Sequence, residues 1–128
     1  MNDSMVIFTR SYDFITWLMP LTGKFPREHR FVVTARLQNA ALDFEECLIE
    51  ANATRGAKRA EHLAAADTTL TKLRLYLRLC NRWQWLTNAQ YQHASEMILE
   101  IGKLLGGWIK TVAFVPSPQV AAHREGRG

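Results

Sequence analysis

The chain has 128 residues, 48% of them hydrophobic and 22% charged, and a formal net charge of +4. That size and balance describe one globular domain with a single core, and they exclude a disordered or fibrous chain. No apolar run approaches the roughly 20 residues of a membrane span, and MNDSMVIFTRSYD does not read as a signal peptide. Cys47 and Cys80 are too few and too isolated for a disulfide framework or a zinc site, so reduced thiols and a cytoplasmic location are expected.

The first predicted helix covers about residues 5–22, carries Phe14, Ile15, Leu18 and Leu21, and tolerates or ends at Pro20. The second opens at Pro26, a residue favoured at helix starts, and places Leu37, Ala41, Phe44, Leu48 and Ala51 on one face. Gly56 breaks it. A third run, residues 57–84, puts Leu63, Ala66, Leu70, Leu73, Leu77 and Cys80 on one stripe. Thr87 and Gln90 form the S/T-x-x-Q capping box that starts a fourth helix, with Tyr91, Ala94, Ile98, Ile101, Leu105, Trp108 and Val112 inward. The closing VPSPQVAAHREGRG has little to bury and reads as a flexible tail. No β alternation competes. Short connections between helices of this length predict an all-α, antiparallel up-down four-helix bundle over residues 1–114, with a tail over residues 115–128.

The third helix carries more than a core stripe. Leu75, Tyr76, Leu79, Trp83 and Leu86 form a second apolar stripe, roughly 150° from the first at 3.6 residues per turn. A helix apolar on two nearly opposite sides is buried on both, and four helices do not surround it that well. A homo-oligomer in which this stripe meets another subunit is therefore expected. Between the stripes Arg74, Arg78 and Arg82 follow one another with a drift of only about 40° per step, forming a ridge.

In an antiparallel bundle the start of the second helix lies beside the end of the third. Lys24, Arg27, Arg30 and Arg36 then gather at the end that holds Arg78 and Arg82, whereas Asp43, Glu45, Glu46, Glu50 and Glu61 fall toward the other. Arginine suits bidentate phosphate contacts and base stacking, so this pole points to a nucleic acid.

Enzymatic chemistry finds no support in the residues. A di-metal bundle needs Glu-x-x-His pairs; the chain has only the reversed His93-x-x-Glu96, while His29, His62 and His123 lack ligand-spaced companions. GKLLGG is no phosphate-binding loop, because its lysine sits on the wrong side. No Ser/His/Asp or Cys/His set is evident, so no catalytic residue, metal or cofactor is expected.

Gly102, Gly106 and Gly107 lie inside the fourth helix, where each costs roughly 1 kcal/mol relative to alanine. Gly102 and Gly106, four apart beside the core stripe, suggest close approach of another helix backbone. With these residues the sequence resembles a known family. FPREHRF at 25–31, LRLYLRL at 73–79 and EIGKLLGGWIK at 100–110, in this order and spacing, resemble the Avd family of diversity-generating retroelements over about residues 12–112. The resemblance implies a non-enzymatic partner of a reverse transcriptase, assembled as a pentameric barrel of four-helix bundles. Such a protein binds RNA or DNA during mutagenic copying of a template RNA into cDNA. It carries Arg74 and Arg78 over as nucleic-acid contacts; Arg82 rests on periodicity alone. Helical periodicity, not the resemblance, places Leu75, Tyr76, Leu79, Trp83, Gly102, Gly106 and Trp108 in oligomer or helix packing. The alternative is a related bundle of the type encoded in ribosomal RNA intervening sequences, or a structural oligomer without a polymerase partner.

Overall fold

The computed structural model describes residues 3–113, so the predicted tail at 115–128 lies outside the described residues. Four helices make up the fold: α1 (Asp3–Thr22), α2 (Ala35–Asn52), α3 (Gly56–Arg82) and α4 (Asn88–Ala113), with no strand among the described residues. Each packs on the next and α4 packs back on α1, closing a four-helix bundle. The predicted core stripes meet at its centre: Phe14, Leu18, Leu37, Phe44, Leu48, Leu63, Leu70, Leu73, Leu77, Ile98, Ile101 and Leu105 are all buried. Ile7 and Ser11 extend the α1 face by two further turns.

Pro20 lies inside α1. The helix ends two residues later, where Gly23 N–H and the Thr22 hydroxyl both donate to the Met19 carbonyl, at 3.3 and 2.9 Å. The second helix does not run regularly from Pro26 as its periodicity suggested. Arg27–His29 form a 3-10 turn and Arg30–Thr34 a π-helical turn before α2 begins. Three consecutive β-branched residues, Val32, Val33 and Thr34, occupy that turn, and such side chains crowd a regular α-helix. The entry is wider than an α-turn and leaves Phe31 87% exposed.

Between α2 and α3, Gly56 takes φ +58°, a left-handed value that a side chain would strain. Arg59 then folds back to donate from Nε to the Ala51 carbonyl at 2.9 Å, covering the open end of α2. The third helix stops earlier than expected, at Arg82. Gln84 adopts φ +60°, and the Trp85 and Gln84 amides bond back to the Cys80 and Asn81 carbonyls, both at 2.9 Å. This is a Schellman ending with glutamine where glycine is usual. Leu86, counted on the outer stripe, is fully buried instead, because the chain has left helical periodicity by then. The capping box forms with both reciprocal bonds: Gln90 N–H to Thr87 Oγ1 at 3.1 Å and Thr87 N–H to Gln90 Oε1 at 2.9 Å.

Candidate nucleic-acid interface

Arg74, Arg78 and Arg82 stand exposed on successive turns of α3. With a rise of about 1.5 Å per residue, they recur about every 6 Å along the helix. Among the described residues the contacts between basic and acidic side chains are Arg10–Glu100 at 2.9 Å and His62–Glu50 at 3.6 Å, so the ridge is not consumed by internal pairing. Beside it, α3 and α4 enclose a groove of about 470 Å³ lined by Thr71, Arg74, Leu75 and Arg78 from one helix and Tyr91, Ser95 and Leu99 from the other. Arg82 does not line this groove; the structure brings Arg74 and Arg78 into it and leaves Arg82 nearer the bundle end.

The two glycines of α4 differ. A Cβ on Gly102 would stand 2.8 Å from Arg74 Nη2 and 3.5 Å from Leu70 Cδ2, whereas one on Gly106 would meet nothing within 4 Å. Close approach within the subunit therefore explains Gly102, and the neighbour is the Arg74 guanidinium rather than a helix backbone. The space a Gly106 side chain would enter is free out to 4 Å, so close packing within the subunit does not explain this glycine.

The aromatic contacts set the layout of the basic pole. Trp85 packs against Phe25 at 5.7 Å and His29 at 4.9 Å between ring centroids, which fastens the α2 entry to the α3–α4 turn. Lys24, Arg27, Arg30 and Arg36 are all exposed there, at or within a few turns of the end where α3 finishes at Arg82. Glu28 is the one acid in residues 20–36 and 74–92. The opposite end is not simply acidic. Asp43, Glu46 and Glu50 act together on α2, adding to burial in pushing the Cys47 thiol up. Yet the α2–α3 turn also carries Arg55, Lys58 and Arg59. One end is thus basic with little counter-charge, and the other is mixed.

Residues 5–112 match the family model described as bAvd-like, a span that takes in the bundle from α1 to the last turn of α4. The chain belongs to the bAvd-like family. In fold it is also similar to a crystal structure of a protein of unknown function from the S23 ribosomal protein family of Bacteroides thetaiotaomicron. That match has a TM-score of 0.77 at 23% identity and covers 84% of this chain and 98% of the other. No curated protein matches.

In this bAvd-like bundle the outer α3 stripe is uneven. Leu75 is 52% and Trp83 46% exposed, while Tyr76 and Leu79 are half-buried. Trp108 belongs to the subunit's own core, edge-on to Phe8 at 6.4 Å and covered by the Arg59 guanidinium at 5.9 Å. Sequence reasoning missed Leu99, which is 57% exposed and lines the groove with Leu75. Its place four residues after Ser95, on the helix face of Gly102, was the available signal. His93 makes an edge contact with Trp17 at 5.1 Å, and the side chain that reaches Glu96 is Gln92. No group of three or more His, Cys, Asp or Glu among the described residues is arranged to hold a metal, and no helix there is long and apolar enough to cross a membrane.

Proposed function

We propose that this bAvd-like protein is the non-enzymatic accessory subunit of a diversity-generating retroelement. In this reading it assembles as a homopentamer, engages the element's reverse transcriptase, and holds template RNA or its cDNA during mutagenic retrohoming. The observation that carries the reading is the α3 ridge, whose Arg74 and Arg78 stand exposed beside the α3–α4 groove without internal ion pairs. Unpaired guanidiniums at this spacing are suited to successive phosphates of one strand. Five copies would pool the ridges into one extended basic surface.

The test is a salt series with RNA. Each neutralised phosphate of a single strand contributes about −0.7 to the slope of log affinity against log salt. The wild-type assembly should show a steep slope, and Arg74→Ala/Arg78→Ala should bind more weakly with a shallower one. The double variant should keep its fold and mass, since exposed positions of this kind change stability by about 0.5 kcal/mol or less. In cells it should lose retrohoming. An isotherm unchanged by the substitutions across the salt series would refute the assignment. A chromosomal neighbourhood lacking a reverse transcriptase and paired template and variable repeats would favour a bundle without a polymerase partner.

A further inference from the structure

The basic end holds an aromatic stack that the phosphate ridge does not account for. Trp83 and Trp85 flank a single glutamine, and their ring centroids lie 5.0 Å apart at 44°. Behind Trp85 sit His29, at 4.9 Å and 31°, and Phe25, at 5.7 Å and 51°. The stack is graded in exposure: Phe25 is buried, Trp85 half-buried, and Trp83 and His29 exposed. Trp83 is 46% exposed and leans on a second, tilted indole, which leaves part of its ring open to contact with another ring.

The backbone fixes this surface. Gln84 holds φ +60° and donates from Nε2 to the Asn81 carbonyl at 2.7 Å. Asn81 Nδ2 in turn donates to the Leu86 carbonyl at 3.2 Å and to Asn88 Oδ1 at 3.0 Å, tying the turn to the start of α4. A left-handed non-glycine residue persists only where its surroundings over-determine it. Here they turn Trp83 outward while Trp85 folds back onto His29. The charge beside the stack is mostly basic: Arg82 precedes Trp83, Arg30 follows His29 and Arg27 lies two residues before it, with Glu28 the one acid among them. An apolar protein partner would be poorly matched to that rim. A polyanion carrying flat rings matches both elements.

We infer that the Trp83–Trp85–His29 stack is a docking platform for an unpaired base of single-stranded RNA or DNA, whose phosphates are met by Arg27, Arg30 and Arg82. The inference rests on the nucleic-acid reading above and deepens it, because it selects single strands over duplexes. A duplex keeps its bases stacked on one another and offers Trp83 no free face. Aromatic stacking is tolerant of base identity, so the platform favours strandedness without reading sequence.

The experiment compares a fluorescently labelled 12-nucleotide oligouridylate with a blunt RNA duplex of the same length, binding to the full chain. Wild type should prefer the single strand. Trp83→Ala should weaken single-strand binding roughly tenfold, leave duplex binding within about twofold, and keep the salt slope, because no phosphate contact is removed. Trp83→Tyr should restore most of the loss. Equal loss on both probes, no loss on the single strand, or dissociation of the assembly by Trp83→Ala would overturn the platform; the last would make Trp83 a subunit contact. If wild type binds neither probe, or binds without salt dependence, the nucleic-acid reading itself fails. That result is distinct from a platform failure, in which wild type still binds both.

Discussion

The guanidinium of Arg74 occupies space that Gly102 leaves on the facing helix, so that a Cβ at Gly102 would stand 2.8 Å from Nη2. The pair links the most conspicuous feature of the sequence, its glycine-rich fourth helix, to the ridge on the third. The glycine cost at Gly102 is the cost of seating an arginine beside the groove.

Gly102→Ala therefore separates folding from function. Alanine gains roughly 1 kcal/mol of helix propensity, and the obstructing atom is the free end of a flexible side chain, so the bundle should melt at the same temperature or higher. Arg74 must move, and RNA affinity should fall toward that of Arg74→Ala. Gly106→Ala is the control: with open space around it, it should stabilise without changing affinity. Loss of thermal stability in the Gly102 variant, or unchanged RNA binding, would break the link.

The start of α4 was legible residue by residue. Thr87→Ala removes the oxygen that accepts the Gln90 amide at 3.1 Å and should lower stability by about 1 kcal/mol, within the range of about 0.5–2 for such caps. Thr87→Ser should recover most of it. Urea denaturation with an unchanged midpoint would show that the cap is dispensable.

What the sequence carried and what it withheld divide along physical lines. The stripes through Leu37–Leu48, Leu63–Leu77 and Ile98–Leu105 follow helical periodicity, and all lie in the core. Thr87 and Gln90 act locally, within one turn. The π-helical entry at Arg30–Thr34 was not legible, because apolar spacing marks a helix without specifying its winding. The end at Gln84 was hidden because a left-handed C-terminal turn is signalled by glycine or asparagine. Arg59 covers carbonyls of the preceding helix across a turn, and Leu99 lines a groove created by the spacing of two helices. Both depend on tertiary placement that periodicity does not encode. Arg74 and Arg78 were readable as a ridge, but the role of Gly102 beneath Arg74 required the fold.

Glu45 provides a pH test of the α1–α2 side. Burial raises its carboxyl above the ordinary glutamate range, with a side-chain hydrogen bond from Ser11 acting in the opposite direction, and its Oε1 is buried without a partner. A raised folded-state pKa means the native protein holds the proton more tightly than the unfolded chain. The resulting stabilisation is present below the unfolded pKa and lost as pH rises through the folded one. Glu45→Gln removes that loss. It should be more stable than wild type at pH 7, with the gap narrowing toward pH 4. Urea midpoints giving the same gap at both values would contradict the assignment.

The last prediction concerns the two leucines that line the groove. Leu75 and Leu99 are 52% and 57% exposed and line it from opposite helices. Neither contributes to the subunit core, so their exposure costs nothing that the bundle itself recovers. In the proposed pentamer we assign them the contact with another copy. Leu75→Gln/Leu99→Gln should leave helical content and unfolding of the subunit close to wild type, because exposed substitutions away from the core shift stability by about 0.5 kcal/mol or less. Light scattering should then fall from several times the 14.7 kDa subunit mass toward that mass itself. The salt slope of RNA binding should become shallower in parallel, since a lone subunit offers fewer arginines than a ring. A variant that keeps its mass would place the subunit contact elsewhere. A wild-type protein that is already monomeric at micromolar concentration would remove the pooled basic surface altogether.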